Sequence, residues 1–142
     1  MNIESFDTDK VYYLASPYSH PSDELKNLRY EAVNRVGAIL CKRNLIIIEP
    51  IAMCHMKSLQ YDLPTGYEYW KTRDRTFVKL SDGGVIVLAI PGWRESVGVS
   101  DEVQYARELG HEVYYLTLTE LGEHVLLRQL EELELQYKRS IL

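Results

Sequence analysis

Two carboxylates, Glu102 and Asp74, occupy positions from which they could act as a nucleophile or a general acid. Glu102 falls in the first turn of a predicted helix that follows the third predicted strand, where the helix dipole favours an ionised side chain. Asp74 lies four residues after Trp70 and three before Phe77, on the inward stripe of its predicted helix. Carboxylates are rarely buried without a partner or a function. An acidic residue at a helix start usually only complements the dipole, so an ordinary structural role for Glu102 stays open.

Two loops near these carboxylates carry groups suited to a small ligand. The first loop follows a strand at Ala15, and its Ser16 and Tyr18 offer hydroxyls for hydrogen bonding. The other loop precedes Glu102; its Gly98 allows close backbone approach at a helix start, and Ser96 could add a hydroxyl to a phosphate there. A strand end followed by an ordinary turn is the alternative interpretation of the first loop.

Aromatic side chains near the same segments could stack on a flat base. Trp70 belongs to a group with Tyr61, Tyr67 and Tyr69, although core packing explains a tryptophan on an inward helical stripe equally well. Trp93 is harder to explain as a core residue, because Gly92 and Arg94 flank it. Both tryptophans are therefore candidate substrate-binding residues.

Short apolar runs alternate with helical periodicity, which is typical of a parallel α/β sheet. Strands are predicted at Val11–Ala15, Leu45–Ile48, Gly84–Ile90 and Val113–Leu116, and helices at about 22–43, 67–80, 98–110 and 119–139. The stretch from Ile51 to Thr65 is predicted to be irregular. In the second predicted helix, at about 67–80, Trp70, Phe77 and Leu80 are expected to face inward.

The order of these elements predicts one α/β domain over residues 1–142, with a core at about 11–116 and a C-terminal helix at about 119–139. The expected fold is doubly wound and flavodoxin- or Rossmann-like, with a mainly parallel sheet of four or five strands. Its binding crevice should lie at the carboxyl ends of the strands. Apolar residues of the last helix recur at spacings typical of a helix seam, which could pack on the sheet or on another subunit.

Composition excludes several classes of function. The net charge of -5, with no basic stripe, argues against a nucleic acid polymer as partner. No apolar run is long enough to span a membrane, and the polar N-terminus lacks the pattern of a secretory signal, so we expect a cytoplasmic protein with no membrane partner. The four histidines and two cysteines show no metal-ligand spacing, and no GxGxxG follows the first strand. We therefore predict no metal and no cofactor.

Several segments together resemble an uncharacterised domain family of the nucleoside 2-deoxyribosyltransferase-like superfamily. The resemblance covers about Val11 to Leu116. It rests on these segments: Tyr13–His20, Glu49–Ala52, Leu63–Trp70, Pro91–Gly98, Glu102 and Ala106–Gly110.

The resemblance implies an N-glycosidase with Glu102 as nucleophile, Tyr13 as the group that orients it, and Asp74 as the group that assists the leaving base. Ser96 is similar to a serine that contacts the 5′-phosphate in the 2′-deoxynucleoside 5′-phosphate N-hydrolases, whereas the transferases carry an acidic residue there. The first loop, Ser16–His20, departs from those hydrolases. The implied ligand is a small nucleoside or nucleotide, and the implied assembly is a homo-oligomer, either a dimer or a tetramer.

Three functions remain open on the sequence. Hydrolysis is favoured over base exchange by a nucleoside deoxyribosyltransferase, because of Ser96. A non-catalytic nucleotide-binding or sensing module would keep the pocket without needing a reactive Glu102. An assembly protein built around the final helix would bind no small molecule.

Overall fold

The computed structural model describes residues 3–64 and 66–142. A short 3-10 helix at Ile3–Ser5 precedes the main elements. These are β1 (Val11–Ala15), α1 (Asp23–Lys42), β2 (Ile46–Ile48), α2 (Pro50–Tyr61), α3 (Tyr67–Leu80), β3 (Gly84–Leu88), α4 (Val97–Glu108), β4 (Val113–Leu116) and α5 (His124–Ser140).

The described strands form a four-stranded, wholly parallel sheet in the order β2-β1-β3-β4. The chain moves outward from β1 to β2 and then returns to the other side of β1, so the strand order reverses at β1 and β3. Tyr13 sits at this reversal and pairs with Ile48 of β2 and Val85 of β3. Ligands of open α/β sheets bind at such a point, beyond the carboxyl ends of the strands. The predicted α/β doubly wound fold with a C-terminal helix is confirmed.

Successive side chains of β1 enter two different apolar layers, because neighbours on a strand point to opposite faces. Tyr12 and Leu14 pack with residues of α1 and α5. Tyr13 and Ala15 pack with residues of α3 and α4. A side chain at position 13 therefore faces the two helices that carry Asp74 and Glu102.

The last helix packs on the first face of the sheet. Leu126 and Leu130 are buried there, and Leu133 packs against the same cluster. The sequence left open whether the apolar seam of the last helix packs on the sheet or on another subunit; in the structure it packs on the core of its own chain. The helix begins at His124, later than predicted, because Thr117 and Glu120 close a hydrogen-bonded turn and Gly122 adopts a positive φ of 73°.

The prediction of an irregular stretch from Ile51 to Thr65 is wrong for most of its length, since α2 covers Pro50–Tyr61; Thr65 itself lies outside the described residues. Pro50 begins the helix, a position where its missing N–H costs nothing. The buried side of α2 includes His55, whereas apolar residues such as Met53 and Met56 are exposed. This exchange of polar and apolar positions hides the helical period in the sequence.

One inward position of α3 was also mispredicted. Leu80, expected in the core, is 61% exposed, and Val78 is fully buried in its place. The helix ends at Leu80, so the side chain projects beyond the packed turn. Phe77 packs partly buried against the core, as predicted.

Candidate active site

A cavity of about 540 Å³ opens beside the carboxyl end of β1. Its walls come from the end of β1 and the loop after it, from α2, and from the N-terminal parts of α3 and α4. These segments follow β1, β2 and β3, as expected for a crevice at the carboxyl ends of parallel strands. The cavity brings together eight of the nine predicted site residues, namely Tyr13, Ser16, Tyr18, Trp70, Asp74, Ser96, Gly98 and Glu102.

Tyr13 and Glu102 form a buried hydrogen-bonded pair in the cavity wall. The Tyr13 hydroxyl donates to Glu102 Oε2 at 2.6 Å. Only 2% of Tyr13 and 5% of Glu102 is exposed. Glu102 is held in place because its neighbours Val99 and Val103 bury the same side of α4 against the sheet.

The prediction that Glu102 lies in the first turn of its helix, where the dipole would keep it ionised, is wrong: α4 begins at Val97, so Glu102 is its sixth residue. Burial raises the pKa of Glu102 well above its usual range, the Tyr13 hydrogen bond lowers it, and the negative charge of Asp74 raises it further. Burial, followed by the charge of Glu102, raises the pKa of Tyr13. The tyrosine therefore remains a donor, and the proton affinity of Glu102 is high in the empty cavity.

Asp74 is the second carboxylate of the cavity. Its side chain is buried on α3, and Oδ1 has no hydrogen-bond partner. Burial raises the pKa of Asp74 to about 6, with Arg73 opposing the shift. A carboxyl group with this pKa exchanges protons near neutral pH, which is the property required of a general acid or base.

A neighbouring carboxylate, Asp101, has the opposite environment. Arg75 donates to both of its oxygens, at 2.5 and 2.9 Å, and the Tyr67 hydroxyl donates to Oδ2 at 2.8 Å. The Arg75 hydrogen bond lowers the pKa of Asp101. Asp101 thus pairs with Arg75, whereas Asp74 and Glu102 line the cavity without a cation.

Ser96 and Gly98 lie where α4 meets the cavity. Ser96 is the N-cap, and its Oγ accepts a hydrogen bond from the Val99 backbone N–H at 3.2 Å. Its hydroxyl proton remains available to a ligand. Packing favours a glycine at position 98, because a Cβ there would lie 3.2 Å from Cδ1 of Tyr67 and that ring would have to shift slightly.

Tyr18 contacts a histidine that sequence reasoning missed. The Tyr18 hydroxyl is hydrogen-bonded to Nδ1 of His55, and the His55 ring stacks on Tyr30 with centroids 4.0 Å apart. Both Tyr18 and His55 line the cavity. Burial lowers the pKa of His55, and Lys26 lowers it further. Recognising α2 as a helix would have placed His55 beside the first loop.

The two tryptophans have different positions. Trp70 lines the cavity, and its indole N–H donates to the Pro64 carbonyl at 2.8 Å. Trp93 lies elsewhere: it packs against Tyr115, with centroids 5.2 Å apart, and the Arg94 guanidinium lies over the Trp93 ring, 4.7 Å from its centroid. The structure therefore does not bring Trp93 to the cavity. Its aromatic partner on β4 could not be identified from local sequence.

The loop after β1 is linked to α5 through Arg29 of α1. Arg29 of α1 donates to the Ser19 carbonyl at 3.0 Å and to Glu134 Oε1 at 3.0 Å. The same guanidinium reaches the Pro91 carbonyl, in the loop after β3, at 3.4 Å. Ser16 adds a local contact, since its hydroxyl donates to the Pro17 carbonyl at 3.3 Å.

Glu49, at the end of β2, is another partly buried carboxylate that sequence reasoning missed. Burial raises its pKa to about 7, and its Oε2 has no hydrogen-bond partner. It occupies the space beside Gly37 of α1, where a Cβ would overlap it. Glu49 is not among the cavity-lining residues.

Residues 3–64 and 66–142 contain neither a cluster of candidate metal ligands nor a helix suited to span a membrane. No group of three or more His, Cys, Asp or Glu side chains in these ranges could hold a metal ion. No helix there combines the length and apolar character needed to cross a bilayer. Both cysteines are free thiols.

Comparison with known proteins gives one family match. No curated protein matches the chain. The family described as "Domain of unknown function (DUF1937)" matches residues 10–117, which include all eight predicted residues that line the cavity. The chain belongs to this family of unknown function.

Proposed function

We propose that the protein is a cytoplasmic N-glycosidase related to the nucleoside 2-deoxyribosyltransferase-like superfamily. It cleaves the N-glycosidic bond of a nucleoside or deoxynucleoside, or of the corresponding 5′-monophosphate. The observation that carries the proposal is the buried hydrogen bond of 2.6 Å between Tyr13 and Glu102, in the same cavity as the unpaired carboxylate of Asp74.

In this mechanism Glu102 forms a covalent glycosyl-enzyme. Its carboxylate attacks C1′, the bond from C1′ to the base nitrogen breaks, and the bonding electron pair leaves with the base. Asp74 gives a proton to the departing base, directly or through water. Tyr13 holds the carboxylate in the orientation for attack through its hydroxyl.

A second step releases the sugar. A water molecule attacks C1′, the bond to Glu102 breaks, and the ionised Asp74 takes the proton that the water loses. The enzyme returns to its starting state, and the products are a free base and a free sugar.

The raised pKa of Glu102 is compatible with its role as nucleophile, because the substrate lowers this pKa as the reaction proceeds. The transition state of glycosidic cleavage resembles an oxocarbenium ion, whose positive charge lies next to the attacking carboxylate. That charge favours the ionised form of Glu102. Transfer of one proton from Glu102 to Asp74 would create a charged nucleophile and a protonated acid together.

Hydrolysis is preferred over exchange with a second base. Ser96, which stands where the transferases carry an acidic residue, supports this choice. A non-catalytic nucleotide-binding module is the second candidate function. The raised pKa of Glu102 favours it, because a protonated carboxyl group is a poor nucleophile.

Base release is the direct test of the proposal. The protein is incubated with each common nucleoside, deoxynucleoside and 5′-monophosphate, and free base is measured by chromatography. We expect release with at least one of them, and loss of release by on the order of 10³-fold or more in Glu102→Ala. Addition of a second free base distinguishes the reactions, since only a transferase forms a new nucleoside.

Glu108→Gln is the matched control. Glu108 lies on the same helix, is exposed, and is not among the cavity-lining residues. This variant should release base at the wild-type rate. Binding without release by the wild type would favour the binding module, and retained release in a folded Glu102→Ala variant would remove Glu102 as nucleophile.

We also propose that the chain forms a homo-oligomer, a dimer or a tetramer. Four large apolar side chains of α2 are at least 45% exposed, namely Met53, Met56, Leu59 and Tyr61. Exposed apolar residues in such number on one helix are typical of a contact surface. Sedimentation analysis of the wild type and of Met56→Lys tests this, and a monomer at all concentrations would contradict it.

A further inference from the structure

The charges that line the cavity are all of one sign. Its wall includes four acidic residues, Glu68, Asp74, Glu95 and Glu102. Among the lining residues that the structure describes, none is lysine or arginine. The remaining polar groups are mainly neutral hydroxyls, and burial keeps the only lining histidine, His55, towards its neutral form by lowering its pKa.

Basic side chains near this wall are directed to other partners. The Lys26 amine lies over the ring of Tyr18, 5.8 Å from the centroid, and is 3.9 Å from a carboxylate oxygen of Asp23. Arg75 is held by Asp101 and Arg29 by Glu134. None of these three cations is among the residues that line the cavity, so none is placed there as the counter-ion of a phosphate.

The start of α4 is the feature that could attract an anion. The partial positive charge of this helix N-terminus can be compared with the negative charges beside it. A helix N-terminus acts as roughly half a positive charge. Glu95 directly precedes the N-cap Ser96 and lines the cavity at the same place. The Glu95 carboxylate opposes the dipole at this place, even if Asp74 and Glu102 share protons.

The hydrogen-bonding capacity of the wall is a second consideration, independent of net charge. Asp74 is 9% exposed, lines the cavity and has an oxygen without a donor. Carboxylate oxygens accept hydrogen bonds, and the hydroxyl and amino groups of a nucleoside donate them. A 5′-phosphate dianion replaces the donating 5′-hydroxyl with oxygens that only accept, so the monophosphate offers this wall one donor fewer.

We propose that the cavity selects nucleosides without a phosphate and discriminates against their 5′-monophosphates. The inference rests on the proposed function for the class of ligand, and it chooses between the two substrates that the proposed function leaves open. It also assigns to Ser96 a neutral partner, such as a sugar hydroxyl.

Paired binding measurements test the proposal without depending on catalysis. Calorimetric titration of Glu102→Gln, which cannot form the glycosyl-enzyme, compares each nucleoside with its own 5′-monophosphate, in the ribose and the deoxyribose series. We expect at least one nucleoside to bind about tenfold or more tightly than its monophosphate. For the wild type, kcat/KM for base release should show the same order.

Charge variants show whether electrostatics cause the preference. Glu95→Lys should bring the dissociation constants of the nucleoside and its monophosphate closer together, chiefly because the monophosphate binds more tightly. Raised salt should have the same effect on the wild type, because salt screens charge. Glu108→Gln, outside the cavity, should leave the ratio unchanged. A ratio insensitive to both Glu95→Lys and salt would overturn the electrostatic argument.

The outcomes separate this inference from the proposed function. Equal or tighter binding of the monophosphates, or binding of neither ligand, overturns the inference. Base release that prefers monophosphates overturns it and leaves the N-glycosidase intact. Tighter binding of nucleosides with no base released from any compound supports the inference and defeats the enzymatic proposal.

Discussion

Asp101 and Glu102 are neighbours on α4 and have opposite electrostatic environments. Asp101 receives three hydrogen bonds from Arg75 and Tyr67, which lower its pKa. Glu102 turns into the cavity, where burial raises its pKa and a single tyrosine hydroxyl contacts it. An ion pair arranged for stability satisfies its carboxylate fully. A carboxylate left underpaired at some energetic cost is typical of a functional site.

After the loss expected for Glu102→Ala, the largest effect is expected from Asp74→Asn, which removes the proposed proton donor from the cavity. Base release should fall by about 10²-fold, because general acid catalysis contributes about that much. Substrates with different leaving bases make the test more specific. The rate of base release should fall less for substrates whose bases leave readily without a proton. An equal loss for all substrates would contradict a role for Asp74 as the acid.

Tyr13→Phe should have a smaller effect on rate and a specific effect on its pH dependence. The hydroxyl stabilises the ionised form of Glu102, so its loss raises the pKa of Glu102 further. The acid limb of the profile should therefore move to higher pH. Loss of one hydrogen bond to a charged group corresponds to roughly tenfold in kcat. An unshifted profile with a reduced rate would indicate a packing defect instead.

The same contrast should appear in stability. Asp74 has a folded-state pKa of about 6, above its unfolded value of about 4. Its contribution to the free energy of unfolding is therefore fully present below pH 4 and is lost as pH rises through 6. Asp74→Asn should lessen this loss. At pH 8 we expect the free energy of unfolding of the variant to exceed that of the wild type by roughly 1 to 3 kcal/mol. Urea titrations at pH 4 and pH 8 measure this difference, and destabilisation at pH 8 would contradict it.

The smallest effect is expected from the ion pair. The lowered pKa of Asp101 gives the opposite sign: its contribution is present above its unfolded pKa and is lost as pH falls through the folded value. Because Arg75 is partly exposed, Asp101→Asn should lower the thermal midpoint only slightly, and less so in high salt. A double-variant cycle with Arg75→Gln measures the coupling. A large, salt-independent loss would show that Asp101 also supports the cavity through Tyr67.

The sheet and most helices could be predicted from sequence because their signals are local. The apolar run of β1 and the stop residue Asn44, which has a positive φ of 64°, are read directly from the chain. Asp74 could be placed inward by helical spacing alone. The pairing of Tyr13 with Glu102 spans 89 residues and came only from a family resemblance.

The rest depended on tertiary contacts. His55 is a polar residue on the buried side of α2, so its helix lacked an amphipathic pattern. Arg75 directly follows Asp74 in the sequence, and its pairing with Asp101 depends on how α3 packs against α4. Trp93 was predicted to bind substrate from its place in the loop, whereas its ring packs against Tyr115 of β4 and does not line the cavity.

The contact between Arg29 and Glu134 has a consequence for how far this site extends along the chain. The family match ends at residue 117, and Glu134 lies beyond it on α5. Glu134→Gln would leave the Arg29 guanidinium, 6% exposed, without its ion-pair partner, at a cost of about 3 to 5 kcal/mol. Arg29 also donates to the carbonyls of Ser19 and Pro91, in the loops after β1 and β3. A residue beyond the family match therefore supplies the charge partner of the cation that contacts both loops.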